Sequence, residues 1–183
     1  MNTRTRVLTG TALVVALGAG TFGAVSASAT PAAAPAAASS KKDEPADKNF
    51  TTSTHLTIDA ATRAAQAALQ AAQNENQKVT VAVVDRNGNT VVTLRGDGAG
   101  PQSYESAQRK AFTAVSWNAP TSVLAGRLAQ TPNLKDIPGT LFLGGGTPVQ
   151  AGGAPVAGIG VAGAPSGDLD EKFAKAGADA LAK

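Results

Sequence analysis

Apolar positions recur along this chain with two different periods, and each change of period marks a predicted element. In "LTIDAATRAAQAALQAAQNEN", residues 56–76, Ile58, Ala61, Ala65, Ala68, Leu69 and Ala72 fall on one helical stripe. The residues on that stripe are small, so the helix can pack closely. Asp59 supplies negative charge to its first turn. From Lys78 to Gly96 the period drops to two. Val79, Val81 and Val83 share a face, Val91 and Val92 place apolar groups on both faces, and Asn87-Gly88 between the runs predicts a β-hairpin.

Helical spacing returns in "SYESAQRKAFTAVSW", where Tyr104, Ala107, Ala111, Ala114 and Val115 line one side. A short third helix follows Pro120. Residues 131–147 carry Pro132, Pro138 and several glycines and read as loop. Pro148 to Ala164 reads as a second hairpin turning at Gly152-Gly153, and "DLDEKFAKAGADALAK" closes the chain as a helix. The order α-ββ-αα-ββ-α predicts an α+β domain, an antiparallel sheet of two hairpins covered by helices.

Gly158, Gly160 and Gly163 in "GIGVAG" spell the G-x-G-x-x-G of dinucleotide-binding folds. That reading needs a long βαβ unit after the motif. Pro165 and Gly167 break the chain soon after it, and too few residues remain for a second unit. The stretch is better read as a returning strand whose glycines admit a neighbouring backbone.

The N-terminus alters the picture of charge. Residues 1–29 carry Arg4 and Arg6, a short apolar core and Ala27-Ser28-Ala29, the pattern of a secretory signal with cleavage after Ala29 or Ala27. Its removal lowers the formal net charge from +3 to +1, which argues against nucleic acid as a partner. Residues 30–54, rich in Ala, Pro and mixed charge, read as a disordered arm, leaving 55–183 as one domain. Cysteine is absent, which excludes thiolate catalysis, disulfides and Cys-based metal sites.

Candidate chemistry is sparse. His55 is the single histidine, either an exposed residue before the first helix or a metal or axial ligand. A Ser-His-Asp triad is disfavoured because no G-x-S-x-G occurs. Glu105 and Arg109 have the spacing of an i,i+4 ion pair. Asp168 and Glu171 have the spacing of a helix-capping box and, with Asp170, form a carboxylate group of the kind that holds ferric iron. Gly144-Gly145-Gly146 lacks the Lys-Ser/Thr of a phosphate loop. Arg86, Arg95 and Lys110 are either solvated or available to ligand carboxylates.

Three blocks in order, "VTVAVVDRNGNTVVTLRGDGAG", "SYESAQRKAFTAVSWNAPTSVL" and "PVAGIGVAGAPSGDLDEKFAKAGADAL", resemble the family of glycolate-utilisation-type and secreted haem-binding proteins (GlcG/HbpS type), related also to the C-terminal domain of some corrinoid adenosyltransferases. With the export signal and arm, the likeness is to its secreted actinobacterial members, which work beside a two-component sensor kinase. The resemblance implies a profilin-like fold, a homo-oligomer (an octamer in known members), haem binding, and a membrane sensor histidine kinase ectodomain as partner of a secreted, cell-wall-associated protein that senses haem or redox stress; iron binding is expected from the carboxylates. The family is not one enzyme class, and an enzyme or accessory protein acting on a small metabolite is the alternative.

Two positions depart from the family pattern. Asn89 stands where many members have His after the hairpin glycine, and Thr140 stands where many have Gly after the loop "PG". Without C-x-x-C-H, haem attachment is expected to be non-covalent. His55 and Thr140 are the expected haem contacts. Glu105, Asp168 and Glu171 are the expected iron ligands.

Overall fold

A computed structural model describes residues 47–182, so the predicted signal segment and the arm up to residue 46 lie outside the described residues. Helix α1 spans Ile58–Asn74 and starts where Thr57, in extended conformation, accepts the Ala60 N–H on its hydroxyl at 3.2 Å. It ends at Asn74, two residues short of the predicted segment, because Asn76 takes a left-handed backbone, φ 57°. Its buried stripe is Ala61, Ala64, Ala65, Ala68 and Ala72. Ile58, expected on that stripe, is exposed in the first turn.

Strands β1 (Thr80–Asp85) and β2 (Thr90–Arg95) form the first hairpin, and β3 (Gly146–Ala151) and β4 (Ala154–Ala162) the second. They join into one antiparallel sheet of order β2-β1-β4-β3. Gly152 and Gly153 both have positive φ, 59° and 80°, as a two-residue type I′ hairpin loop requires. The first hairpin is wider than Asn87-Gly88 alone. Only Gly88 has positive φ there, the Asp85 N–H bonds to the Asn89 carbonyl at 2.8 Å, and the register slips between Val83 and Val84.

Strict alternation along β1 divides the core in two. Val79, Val81 and Val83 join Ile159, Val161, Phe173 and the alanines of α1 on one face. Thr80, Ala82 and Val84 face α2 (Gln102–Trp117), where Ala82 packs with Ala107 and Val84 with Ala111 and Val115. Helix α4 (Gly167–Asp179) lies beside α1 on the first face. Both faces of the sheet are thus covered, and the fold is α+β, as the order of the elements predicts.

The GIGVAG glycines fix how closely α2 approaches. A Cβ on Gly158 would overlap the Ala111 carbonyl oxygen, and one on Gly160 that of Ala107. Helix α2 therefore rides with its backbone directly on β4, in the role expected of those glycines. At the sheet's outer edge, the Gly146 N–H is capped by Thr121 Oγ1 at 2.7 Å and Pro148 has none to offer, which blunts β3 against strand addition. Among the described residues no helix is long and apolar enough to cross a membrane.

Helix α3 (Thr121–Gly126) follows α2, and the long connection after it is ordered by α2. Thr113 Oγ1 donates to the Arg109 carbonyl at 2.7 Å and accepts the Leu141 N–H at 2.8 Å, while Phe142 meets Trp117 edge to face at 5.3 Å. Tyr104, expected on the packing face of α2, is instead 48% exposed. Ser103 takes the inner position and shares a 2.7 Å hydrogen bond with Thr80.

Candidate functional site

Two turns at one end of the sheet frame the candidate site. In the first, Asp85 Oδ1 accepts the N–H groups of Asn87 (2.8 Å) and Asn89 (2.9 Å), and Oδ2 accepts the Asn89 side-chain amide at 3.2 Å. Partial burial pushes the Asp85 carboxyl up. The hydrogen bonds from Asn89 and Asn87 and the nearby His55 outweigh that and hold it below the ordinary carboxylate value. Asn89, in the place of the family's histidine, is therefore a turn-stabilising residue here.

The second turn is Ile137–Thr140, closed by the Thr140 N–H on the Ile137 carbonyl at 3.3 Å. Pro138 and Gly139 occupy its centre, with Gly139 at φ 79°, the pattern of a type II turn.

Phe112 of α2 lies between these turns. A Cβ on Gly88 would come within 2.8 Å of its ring, and one on Gly139 within 3.6 Å. Only residues without side chains leave this space open. The result is a shallow pocket of about 170 Å³ with Val84 and Phe112 as apolar floor and Thr90, Gln108 and Arg109 at the rim. Arg109 is held in place by donating from Nη2 to the Thr140 carbonyl at 2.8 Å, with Glu105 Oε1 at 3.6 Å from Nη1. No carboxylate lines the pocket. It suits a flat apolar ligand that carries an acid group.

The expected haem contacts fall beside this pocket. Thr140 follows the wall residue Gly139, but its side chain is buried and its hydroxyl donates to the Ile137 carbonyl at 2.7 Å. His55 approaches the first turn from the α1 side, exposed, with Nε2 2.6 Å from Ser53 Oγ and Nδ1 3.9 Å from Asp85 Oδ2. Phe112 and Gln108 were not singled out by the sequence. The available signal was a large aromatic on α2 lying off the alanine stripe, beside Gln108 and Arg109.

The three expected iron ligands are not brought together. Glu105 is on the exposed side of α2 with Arg109. Glu171 turns inward and caps α3, accepting the Ser122 N–H at 2.9 Å, the Ser122 hydroxyl at 2.5 Å and the Gly145 N–H at 3.2 Å. Asp168 is exposed in the first turn of α4 and is not its N-cap. Ser166 fills that role, with Oγ 3.2 Å from the Leu169 N–H. Among the described residues no three His, Cys, Asp or Glu side chains are grouped to hold a metal.

Lys110, one of the cations weighed as a ligand contact, is instead buried. Its Nζ donates to Asp170 Oδ2 at 2.8 Å and to the Val161 carbonyl at 3.0 Å, and Asp170 also accepts the Ala164 N–H at 3.0 Å. Burial pushes the Asp170 carboxyl above its ordinary value, against the opposing pull of Lys110 and the backbone N–H groups. The pair ties α2, β4 and α4 together.

Comparison with known proteins places this geometry among relatives. A family profile described as haem degrading protein HbpS-like matches residues 56–179. A crystal structure of a double mutant of Streptomyces reticuli HbpS is 71% identical, with 81% of this chain and 97% of that chain covered and a TM-score of 0.74. A crystal structure of HbpS is 75% identical over 74% of this chain and 96% of that one, also at TM-score 0.74. A crystal structure of a complex of PduOC with haem is 26% identical, covering 69% and 95%, at TM-score 0.64. No curated protein matches the chain. With the profile spanning most of the domain and HbpS so similar over nearly its whole length, this chain belongs to the HbpS-like family.

Proposed function

We propose that this protein binds haem non-covalently at the pocket centred on Phe112 and acts outside the cell as a haem and redox sensor beside a membrane sensor kinase. The observation that carries the reading is the pairing of an apolar floor with a tethered guanidinium. Val84 and Phe112 offer a face for a porphyrin edge, and Arg109, fixed by the Thr140 carbonyl, presents its remaining N–H groups to a propionate. Bound haem would supply a redox-active iron. The chain's own residues orient the ring, neutralise its acid groups and limit water at one face.

At about 170 Å³ the pocket is smaller than the roughly 300–1,000 Å³ usual for small-molecule sites. It covers one edge of a flat ligand. A second copy of the chain covering the rest would account for an oligomer, which the resemblance also implies. Thr140 is one residue from the pocket wall, so a shift of the Ile137–Thr140 turn would bring its hydroxyl to the ligand. His55 would serve from outside the pocket. Haem turnover is a second reading, favoured by the description of the matching family profile.

The test is haemin titration of the purified protein, followed by its Soret band. Saturable binding is expected, weakened in Phe112→Ala and Arg109→Ala while their circular dichroism is unchanged. A wild-type protein with no Soret shift at micromolar haemin would remove the haem reading, and unaltered binding by both variants would move the site elsewhere. Progressive loss of the bound Soret band with a reductant supplied would favour turnover.

A further inference from the structure

A larger cavity lies away from the Phe112 pocket, and unlike that pocket it is lined by carboxylates. It is a groove of about 460 Å³ between the outer side of α4 and the edge strand β3, within the size range of small-molecule sites. Pro120, Pro148 and Ala178 give it rigid apolar walls. Three carboxylates line it, Asp168, Glu171 and Asp179, against two ammonium groups, Lys172 and Lys175.

Most of those charges are already engaged. Glu171 is spent on Ser122 and Gly145, Lys172 pairs with Glu75 at 2.6 Å, and Lys175 pairs with Asp179 at 2.9 Å. Asp168 is the lining carboxylate left without a hydrogen-bonded partner among the described residues. The groove therefore presents unneutralised negative charge beside apolar walls, and its complement is an organic cation.

Spacing narrows the class further. Asp168 and Asp179 stand eleven residues apart on α4, three helical turns, and so project from the same side. At 1.5 Å per residue they are about 16 Å apart along the axis. Pro120, Pro148 and Ala178 line the same groove as both carboxylates. A second, smaller groove, lined by Pro148, Ala178, Asp179 and Leu181, continues past Asp179.

From these observations we propose that the α4–β3 groove binds a linear polyamine, with one terminal ammonium on Asp168, the methylene chain along Pro120, Pro148 and Ala178, and a distal ammonium sharing Asp179 with Lys175. The proposal is independent of the haem reading. An anionic porphyrin is disfavoured in a groove with this excess of carboxylates, and the Phe112 pocket, which no acid lines, has nothing to hold a polyamine.

Spermine titrated calorimetrically into the haem-free protein at low ionic strength tests it, since surface charge interactions are strongest there. One-to-one saturable binding is expected, with n-butylamine at least about tenfold weaker because it reaches a single carboxylate. Asp168→Asn and Asp179→Asn should each weaken spermine about fivefold or more, and the double variant should abolish saturation at the same concentrations. Asp59→Asn, on the exposed first turn of α1, should leave binding unchanged, and all variants should melt at the wild-type temperature. The proposal is overturned if spermine gives no saturable heat, or if Asp59→Asn weakens it as much as Asp168→Asn, the sign of diffuse surface charge.

Discussion

Lys110 and Asp170 form an ion pair in the interior, Nζ to Oδ2 at 2.8 Å, with their side chains only 6% and 4% exposed. Sixty residues separate them in sequence, and the bond joins α2 to α4 past the end of β4. Lys110 also holds the Val161 carbonyl and Asp170 the Ala164 N–H, so each charge has more than one partner. Breaking such a pair leaves an uncompensated buried charge, whereas replacing both partners removes the problem.

Lys110→Met alone is therefore expected to cost about 3–5 kcal/mol in urea unfolding, and Asp170→Leu alone a similar amount. The double variant should recover most of that loss. Equal destabilisation by the single and double variants would mean that the pair is not coupled. The raised Asp170 carboxyl sets the pH sign. A carboxyl whose folded value lies above its unfolded value favours the folded state in its protonated form, so ionisation of Asp170 opposes folding. Asp170 should not drive acid unfolding.

Asp85 has the opposite sign. Its carboxyl is held below its ordinary value in the folded chain, so it contributes stability that is full above the unfolded carboxylate value and fades as pH falls through the folded one. Asp85→Asn should destabilise the protein by about 1 kcal/mol at pH 7, the worth of the turn's hydrogen bonds. The difference from wild type should shrink towards pH 3. Chemical denaturation at both pH values measures it, and a pH-independent difference would count against the charge argument.

Gly160→Ala tests the backbone contact between α2 and β4. The added Cβ would meet the Ala107 carbonyl oxygen, a rigid atom inside a helix, so α2 must lift from the sheet. We expect a loss of about 3 kcal/mol or more, at the upper end of overpacking costs. Gly152→Ala, with nothing within 4 Å of the new Cβ, should cost only the strain of its positive φ, about 1 kcal/mol. Thermal melts that rank the two in the other order would refute the packing argument.

Arg109→Lys should weaken haemin binding nearly as much as Arg109→Ala, by about tenfold. An ammonium cannot hold the Thr140 carbonyl and also present a forked pair of donors to a propionate. Full rescue by lysine in the Soret titration would reduce Arg109 to a point charge.

Much of the fold was legible from short-range signals. Gly152-Gly153 specified the second hairpin, because both central positions of that turn require positive φ. The alternation of β1 and the alanine stripe of α1 revealed which residues face inward, since burial repeats with the period of the element. The glycines of GIGVAG were readable as points of close approach, although α2 as the approaching element was not.

Every relation between distant residues stayed hidden. Lys110 read as solvated or as a ligand contact and Asp170 as part of a carboxylate group, and only the packing of α2 against α4 buries them as a pair. Asp168 and Glu171 matched the spacing of a capping box, yet Ser166 took the cap and Glu171 turned to α3, because the better-placed donors belong to another element. Phe112 became the floor of a pocket only when two turns far apart in the chain placed Gly88 and Gly139 against its ring. Local periodicity and turn chemistry act through neighbouring dihedral angles and are written in a few consecutive residues. Burial, ion pairing and pocket shape depend on which surfaces meet, and the tertiary structure alone decides that.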